Sequence, residues 1–242
     1  MKHYISTAII ALAIIITGCV LGGAWKYTHK GNESISVIGM SKKDFVSDLI
    51  VWDGYFTAKS QSTKEAYTKL KKDADIIKKY LVGKGIKEKE IVFSSVDINT
   101  DYEYIYNKDG SSTSVFKGYT LSQNVKIESK EVDKIENISR EVSALIDLGV
   151  NFFSSSPEYF YTKLAELKIE MLSDATEDAR LRAEAIATNA KSKLGKLKKA
   201  DMGIFQITAQ NTSEEYTYGG AFNTSSKNKS ASITVRLNFA TR

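Results

Sequence analysis

The chain has 242 residues, 42% of them hydrophobic and 26% charged, proportions that suit a folded globular protein. Its two histidines, His3 and His29, and its one cysteine, Cys19, all fall within the first thirty residues. The rest of the chain has neither imidazole nor thiol. This excludes a zinc site of the usual ligands, a Ser-His-Asp or Cys-His nucleophile, a carboxylate-histidine di-iron centre and a disulfide. The net charge of +5 falls to +2 once Lys2, Lys26 and Lys30 are set aside, leaving 31 basic and 29 acidic residues. These interleave, as in Lys64-Glu65 and Glu88-Lys89-Glu90, so a nucleic-acid partner is not expected.

From Ile5 to Trp25 the sequence ISTAIIALAIIITGCVLGGAW carries no charge. As one helix, a run of this length reaches about 30 Å, the thickness of a bilayer's hydrocarbon core. Lys26, Tyr27, His29 and Lys30 follow, and Trp25 and Tyr27 suit an interface. Three fates fit: a retained anchor through residues 5–25, a lipoprotein with lipid on Cys19 of the lipobox-like Ile16-Thr17-Gly18-Cys19, or a signal cleaved near Gly22 to Ala24. Each divides the chain into residues 1–30 and an exported body, 31–242. The expected location is a bacterial cell membrane, with the body outside the cytoplasm.

Pro157 is the only proline, which argues for one compact unit or two tightly joined lobes. Period-two alternation predicts strands at 34–40, at 46–60 with Ile50, Trp52, Gly54, Phe56 and Ala58 on one side, at 91–106 and at 114–128. In the third, Val96, Ile98, Tyr102, Tyr104 and Tyr106 share a face opposite Asp97, Asn99, Asp101 and Glu103. Asn107-Lys108-Asp109-Gly110 reads as the hairpin turn to the fourth. Helices are predicted from Thr63 to Gly83, from a Ser129 cap to Leu148, and over about 165–194 with Gly195 as the stop. A strand pair around Pro157 and strands at 202–208 and 230–239 complete the body. The fold class is α/β of the α+β kind: a mixed, mainly antiparallel sheet packed by about three helices, one of them long and in the C-terminal half.

Ser36-Val37-Ile38-Gly39, Leu81 with Gly85-Ile86 and Ile91, Gly118-Tyr119, the helix Ala175 to Ala187 and Leu194-Gly195-Lys196-Leu197 resemble the SIMPL-domain family. That family includes the bacterial periplasmic immunogenic proteins. The resemblance covers about 34–239, and the subgroup with an uncleaved hydrophobic N-terminus is the nearest. Ser47-Asp48 stands where many members have Pro-Asp. The resemblance implies an exported bacterial protein with a helix-on-sheet fold, some of whose relatives assemble into homo-oligomeric rings with a channel. It brings no catalytic residues.

Asp97-x-Asn99-x-Asp101-x-Glu103 has calcium-loop spacing, but Tyr102 and Lys108 occupy the positions that need Gly and Glu, so it reads as the wet side of a strand. Glu166, Glu170, Asp174 and Asp178 form an acidic row at four-residue intervals on the long helix, either a solvated face or the lining of an assembly. Ala175, Ala179, Ala183 and Ala187 repeat in the same way, as packing within the chain or as an oligomer contact. Tyr102, Tyr104, Tyr106, Phe152, Phe153, Tyr159, Phe160 and Tyr161 make the body aromatic-rich, and the polar segment 210–229 reads as a mobile loop. The expectation is a non-enzymatic, membrane-tethered domain that self-associates, without cofactor or metal, in envelope maintenance or stress response. The alternative is a monomeric or dimeric binding module for an envelope partner or small ligand.

Overall fold

The computed structural model describes residues 2–29, 33–106, 110, 112–213 and 217–241, without the side chains of 2–11 and 26–29. The apolar N-terminal run lies in one helix, α1 (Lys2–His29). Among the described residues no helix is long and apolar enough to cross a membrane; in α1 the described side chains are those of 12–25.

The body then runs β1 (Ser34–Val46), β2 (Leu49–Ser60), α2 (Thr63–Gly83), β3 (Ile91–Tyr106), β4 (Ser112–Ser129), α3 (Val132–Glu141) and α4 (Ala144–Asp147). It continues through β5 (Phe152–Ser154), β6 (Glu158–Phe160), α5 (Leu164–Asn189), β7 (Leu194–Met202), β8 (Gln206–Ala209) and β9 (Asn228–Thr241). This is a mixed α+β fold, as the alternation of periods predicts. The strands form two sheets rather than one. Sheet A has the order β1-β9-β7, with β8 also on β9; sheet B has the order β3-β4-β2-β5, with β6 also on β2. Every described pairing between strands is antiparallel.

Each sheet has its own helix and its own core. In sheet B the inward residues Ile50, Trp52, Phe56, Leu121 and Ile127 pack with Leu70 and Ile77 of α2 and Ile135 of α3. Full burial of each large side chain contributes about 2 kcal/mol. In sheet A, Val37, Val235 and Leu237 pack against Met171 and the alanines of α5. The close approach of α5 has a visible cause in Gly39, where a Cβ would stand 2.7 Å from that of Ala179. The two sheets meet at Ser47-Asp48. The Ser47 amide donates to the Lys227 carbonyl at 2.9 Å and that of Asp48 to Phe160 at 3.0 Å. The Asp48 carboxylate accepts from the Thr162 amide at 2.7 Å and the Thr162 hydroxyl at 2.6 Å.

Several boundaries differ from the sequence reading. β1 continues to Val46 because β9 partners it as far as Asn228, so the break falls at Ser47-Asp48. The predicted helix from Ser129 to Leu148 is divided into α3 and α4, and Ile146 points to solvent at 62% exposure. Ser129 does not cap α3; its hydroxyl accepts the Glu131 amide two residues on. α5 ends at Asn189, before Gly195, with Lys191 in the left-handed region at φ 54° and the Ser192 amide turned back to the Ala187 carbonyl. Gly195 belongs instead to β7, where it lies against the Ala240 backbone with no room for a Cβ. Of the predicted hairpin turn, 107–109 lie outside the described residues; Gly110 has φ +82°, the conformation expected of it.

Candidate functional site

The sequence-predicted site residues do not converge. Cys19 is exposed on α1. Ala175, Ala179, Ala183 and Ala187 are at most 1% exposed, and the first three belong to the core of sheet A. Of the two readings of this stripe, packing within the chain is the one its burial fits, and the oligomer contact is left without exposed surface on these alanines.

The acidic row lies along the free edge of β1 and is partly neutralised there. Glu170 pairs with Lys43 at 2.5 Å. That bond, with Asp174 and Tyr161 adding to it, holds the Lys43 ammonium above its ordinary range. Asp178 pairs with Arg182 at 2.9 Å and accepts the Met40 amide at 2.9 Å. Arg182 first and the amide second depress its carboxyl. An edge strand with open amides is a template for unwanted pairing, and Asp178 blunts it. Glu166 and Asp174 are exposed. The four carboxylates edge a sheet rather than enclose a cation, and among the described residues no group of three or more His, Cys, Asp or Glu is placed to hold a metal.

The Asp97–Glu103 row resolves into ordinary strand pairings. Asp101 accepts the Thr120 hydroxyl, with Lys59 at 3.4 Å, which lowers its pKa, and Glu103 pairs with Lys117 at 2.5 Å.

What sequence reasoning missed is the exposure of the tyrosine face. β2 pairs with β4 only as far as Ser60↔Tyr119, while β3 and β4 continue together to Tyr106↔Ser112. Beyond that point the two strands form an arm partnered by no other described strand. The arm leaves the sheet at Gly118, whose φ of +121° and close approach to the Ser60 carbonyl admit no side chain. Along it the core-facing parity of sheet B, which passes through Ile98, continues as Tyr102, Tyr104, Tyr106 and, from β4, Phe116. Tyr104 is 63% and Tyr106 80% exposed. Tyr102 and Tyr119 contact Phe116 edge to face at 6.1 and 5.3 Å. The remaining aromatics are used elsewhere: Phe152 packs on Trp52, Phe153 stacks on Tyr55, and Tyr161 meets Phe45. Tyr159 sits at the junction of the sheets, its phenol pushed up by burial and then by Glu136.

The segment 210–229 is fastened, not loose, over its described part. Gln206, nearly buried, donates to the Thr217 carbonyl at 2.9 Å and accepts the Ala221 amide at 2.6 Å. Ile207 forms a bridge to Phe222. Within this segment Tyr218 is 97% exposed. A depression of about 380 Å³ lies open on the outer face of sheet A between Ile38, Met202, Thr234 and Arg236. It has no enclosed floor of convergent polar groups such as a ligand site needs.

The SIMPL family profile, described as a protein of unknown function (DUF541), matches residues 35–239. The chain belongs to the SIMPL family. The match begins at the second residue of β1 and ends in β9, so it takes in both sheets and α5 and leaves α1 outside. No curated protein matches the chain.

Proposed function

We propose that this SIMPL protein is a non-enzymatic domain, tethered to a bacterial membrane with its body outside the cytoplasm, that self-associates into a homo-oligomer of ring or channel form in envelope maintenance or stress response. The observation that carries self-association is the uncovered aromatic side of the β3–β4 arm. A two-stranded hairpin is marginal in water alone, and one that continues a core face beyond its own core is completed by a partner surface. The arm's carboxylates Asp101 and Glu103 already face Lys59 and Lys117, so its aromatic side asks for a neutral, apolar counterpart such as the same face of a second copy.

The tether is supported by the uncharged stretch Ile5 to Trp25 and by its setting in the 28-residue helix α1. The other route to the same tether is a lipid on Cys19, which intact mass of the native protein distinguishes. The envelope role follows from the family resemblance. The decisive experiment is the mass of the full chain in mild detergent by light scattering: a defined oligomer is expected, and a strict monomer at micromolar concentration overturns self-association in favour of a monomeric binding module.

A further inference from the structure

Over much of the body the charges interleave, but the stretch that follows α5 is dense in lysine alone. Between Glu184 and Asp201 there is no acidic residue, and Lys191, Lys193, Lys196, Lys198 and Lys199 fall within nine positions. All five are exposed. Strand register places Lys196, Lys198 and Lys199 of β7 at one end of sheet A, and Lys191 and Lys193 lie in the turn that leads into it. Leu194 is level with Thr241 of β9, Leu197 with Phe239 and Lys199 with Asn238, and two irregularities compress β7 along this stretch. On the other side of β9, the first residues of β1 occupy the same levels: Ser34 opposite Ala240, Ile35 opposite Phe239 and Ser36 opposite Asn238. The lysines of β7 therefore lie within about two residues, roughly 7 Å along the sheet, of the point where β1 begins. Four peptide units separate His29, the last residue of α1, from Glu33, a span of at most about 15 Å. Glu33, the acidic residue at this start of β1, lies 3.5 Å from the Thr241 hydroxyl. Among the described residues Lys191, Lys193 and Lys196 form no ion pair, and Leu197 beside them is 51% exposed.

We propose that this lysine edge of sheet A docks on anionic phospholipid headgroups, seating the body against the membrane that the N-terminal segment enters. The inference rests on the tether proposed above for its geometry, and on charge for its partner. Basic groups near an anionic bilayer each favour the docked state about fivefold, an effect that fades within a Debye length. Lys26 and Lys30 extend the same charge toward α1 in the sequence.

The test uses the full chain with two sets of vesicles, one of phosphatidylcholine alone and one containing phosphatidylglycerol. It reads flotation and the acetylation rates of Lys191, Lys193 and Lys196, with Lys71 and Lys72 of α2 as internal controls. The expected result is flotation with both vesicles and at least fivefold slower acetylation of the three lysines on the anionic set alone, abolished at 1 M salt. The triple variant Lys191→Glu, Lys193→Glu, Lys196→Glu should float as before and lose the lipid dependence of acetylation at Lys198 and Lys199. Flotation with both sets and equal rates overturns the lysine edge while the tether stands. Flotation with anionic vesicles only, lost in the triple variant, supports the edge and overturns the tether. Flotation with neither overturns both. Equal protection by soluble polyphosphate on phosphatidylcholine vesicles overturns the lipid assignment in favour of a soluble polyanion.

Discussion

Gly39 of β1 and Ala179 of α5 are in contact so close that a Cβ on the glycine would stand 2.5 Å from the Ala179 amide nitrogen. The helix and the sheet are held together by the absence of side chain on one surface and its near absence on the other. Overpacking such a contact costs about 1–3 kcal/mol. Ala179→Leu and Gly39→Ala should therefore each lower the urea midpoint of unfolding. Neither should shift the mass of the protein that remains folded, because the alanine stripe faces inward. A folded Ala179→Leu protein of unchanged stability would contradict this packing.

The arm predicts the opposite pairing of effects. Tyr104→Ser with Tyr106→Ser removes two of the most exposed aromatics and touches no core residue, so thermal stability of the chain should move little. Its mass by light scattering should fall. If the double variant keeps the mass of the parent, association uses another surface.

Asp73 is 4% exposed on the buried side of α2, and its Oδ2 has no hydrogen-bond partner. Burial pushes its carboxyl up, opposed by Lys69 and Lys72. A carboxyl raised in the folded state binds its proton more tightly there than in the unfolded chain, so folding loses stability as pH rises from the unfolded value through the folded one. Asp73→Asn removes the buried charge while keeping the shape, and should accordingly raise stability at neutral pH. The gain should shrink as the solution is acidified below the ordinary carboxylate range. Denaturant titrations at pH 7 and pH 3 read both.

Asp178 has the reverse sign. Arg182 and the Met40 amide lower its carboxyl, so its contribution is present above the unfolded carboxylate value and is lost as pH falls through the folded one. Asp178→Ala should open the β1 edge near Met40, seen as faster amide exchange at that residue at neutral pH. In acid, where the parent's carboxylate is also protonated, the difference should close.

Gln206 fastens the chain on both sides of Tyr218 with its one amide group. Gln206→Leu keeps the volume and removes both bonds. Limited proteolysis should then cut within 210–227, which in the parent should be cut more slowly, while the cores of both sheets keep their amide protection.

Much of the fold was legible because period and turn chemistry agree locally. Trp52, Phe56, Leu121 and Ile127 alternate with polar neighbours and are all buried. Ala66, Leu70, Ile77 and Leu81 repeat at helical spacing and are buried too. The division into two sheets was not legible, since alternation says which side of a strand is inward but not which sheet it joins. Residues 195–201, between the predicted helix stop at Gly195 and the predicted strand at 202, had no assigned element for a related reason: a lysine-rich stretch without apolar alternation carries no strand signal of its own, and only the partner β9 makes it one. Tyr102, Tyr104 and Tyr106 were placed on one side correctly, but their exposure depends on where β2 stops beneath them, a tertiary fact. The alanine stripe admitted two readings by size alone, and the missing Cβ of Gly39, far away in sequence, selects one.

The pairing of Ser34 with Ala240 has a consequence for the order of folding. Sheet B is assembled from residues 49–160, and each of its pairings is complete once that stretch exists. Sheet A needs its first strand to wait for its ninth, across an intervening chain that must already have found its place. Contacts of such sequence separation form slowly, because the loop they close is costly and nothing repays it until late. As the chain emerges, β1 therefore stays without its partner until the last strand arrives, and Asp178, reaching the Met40 amide from α5, guards that strand's other edge before β9 covers the first.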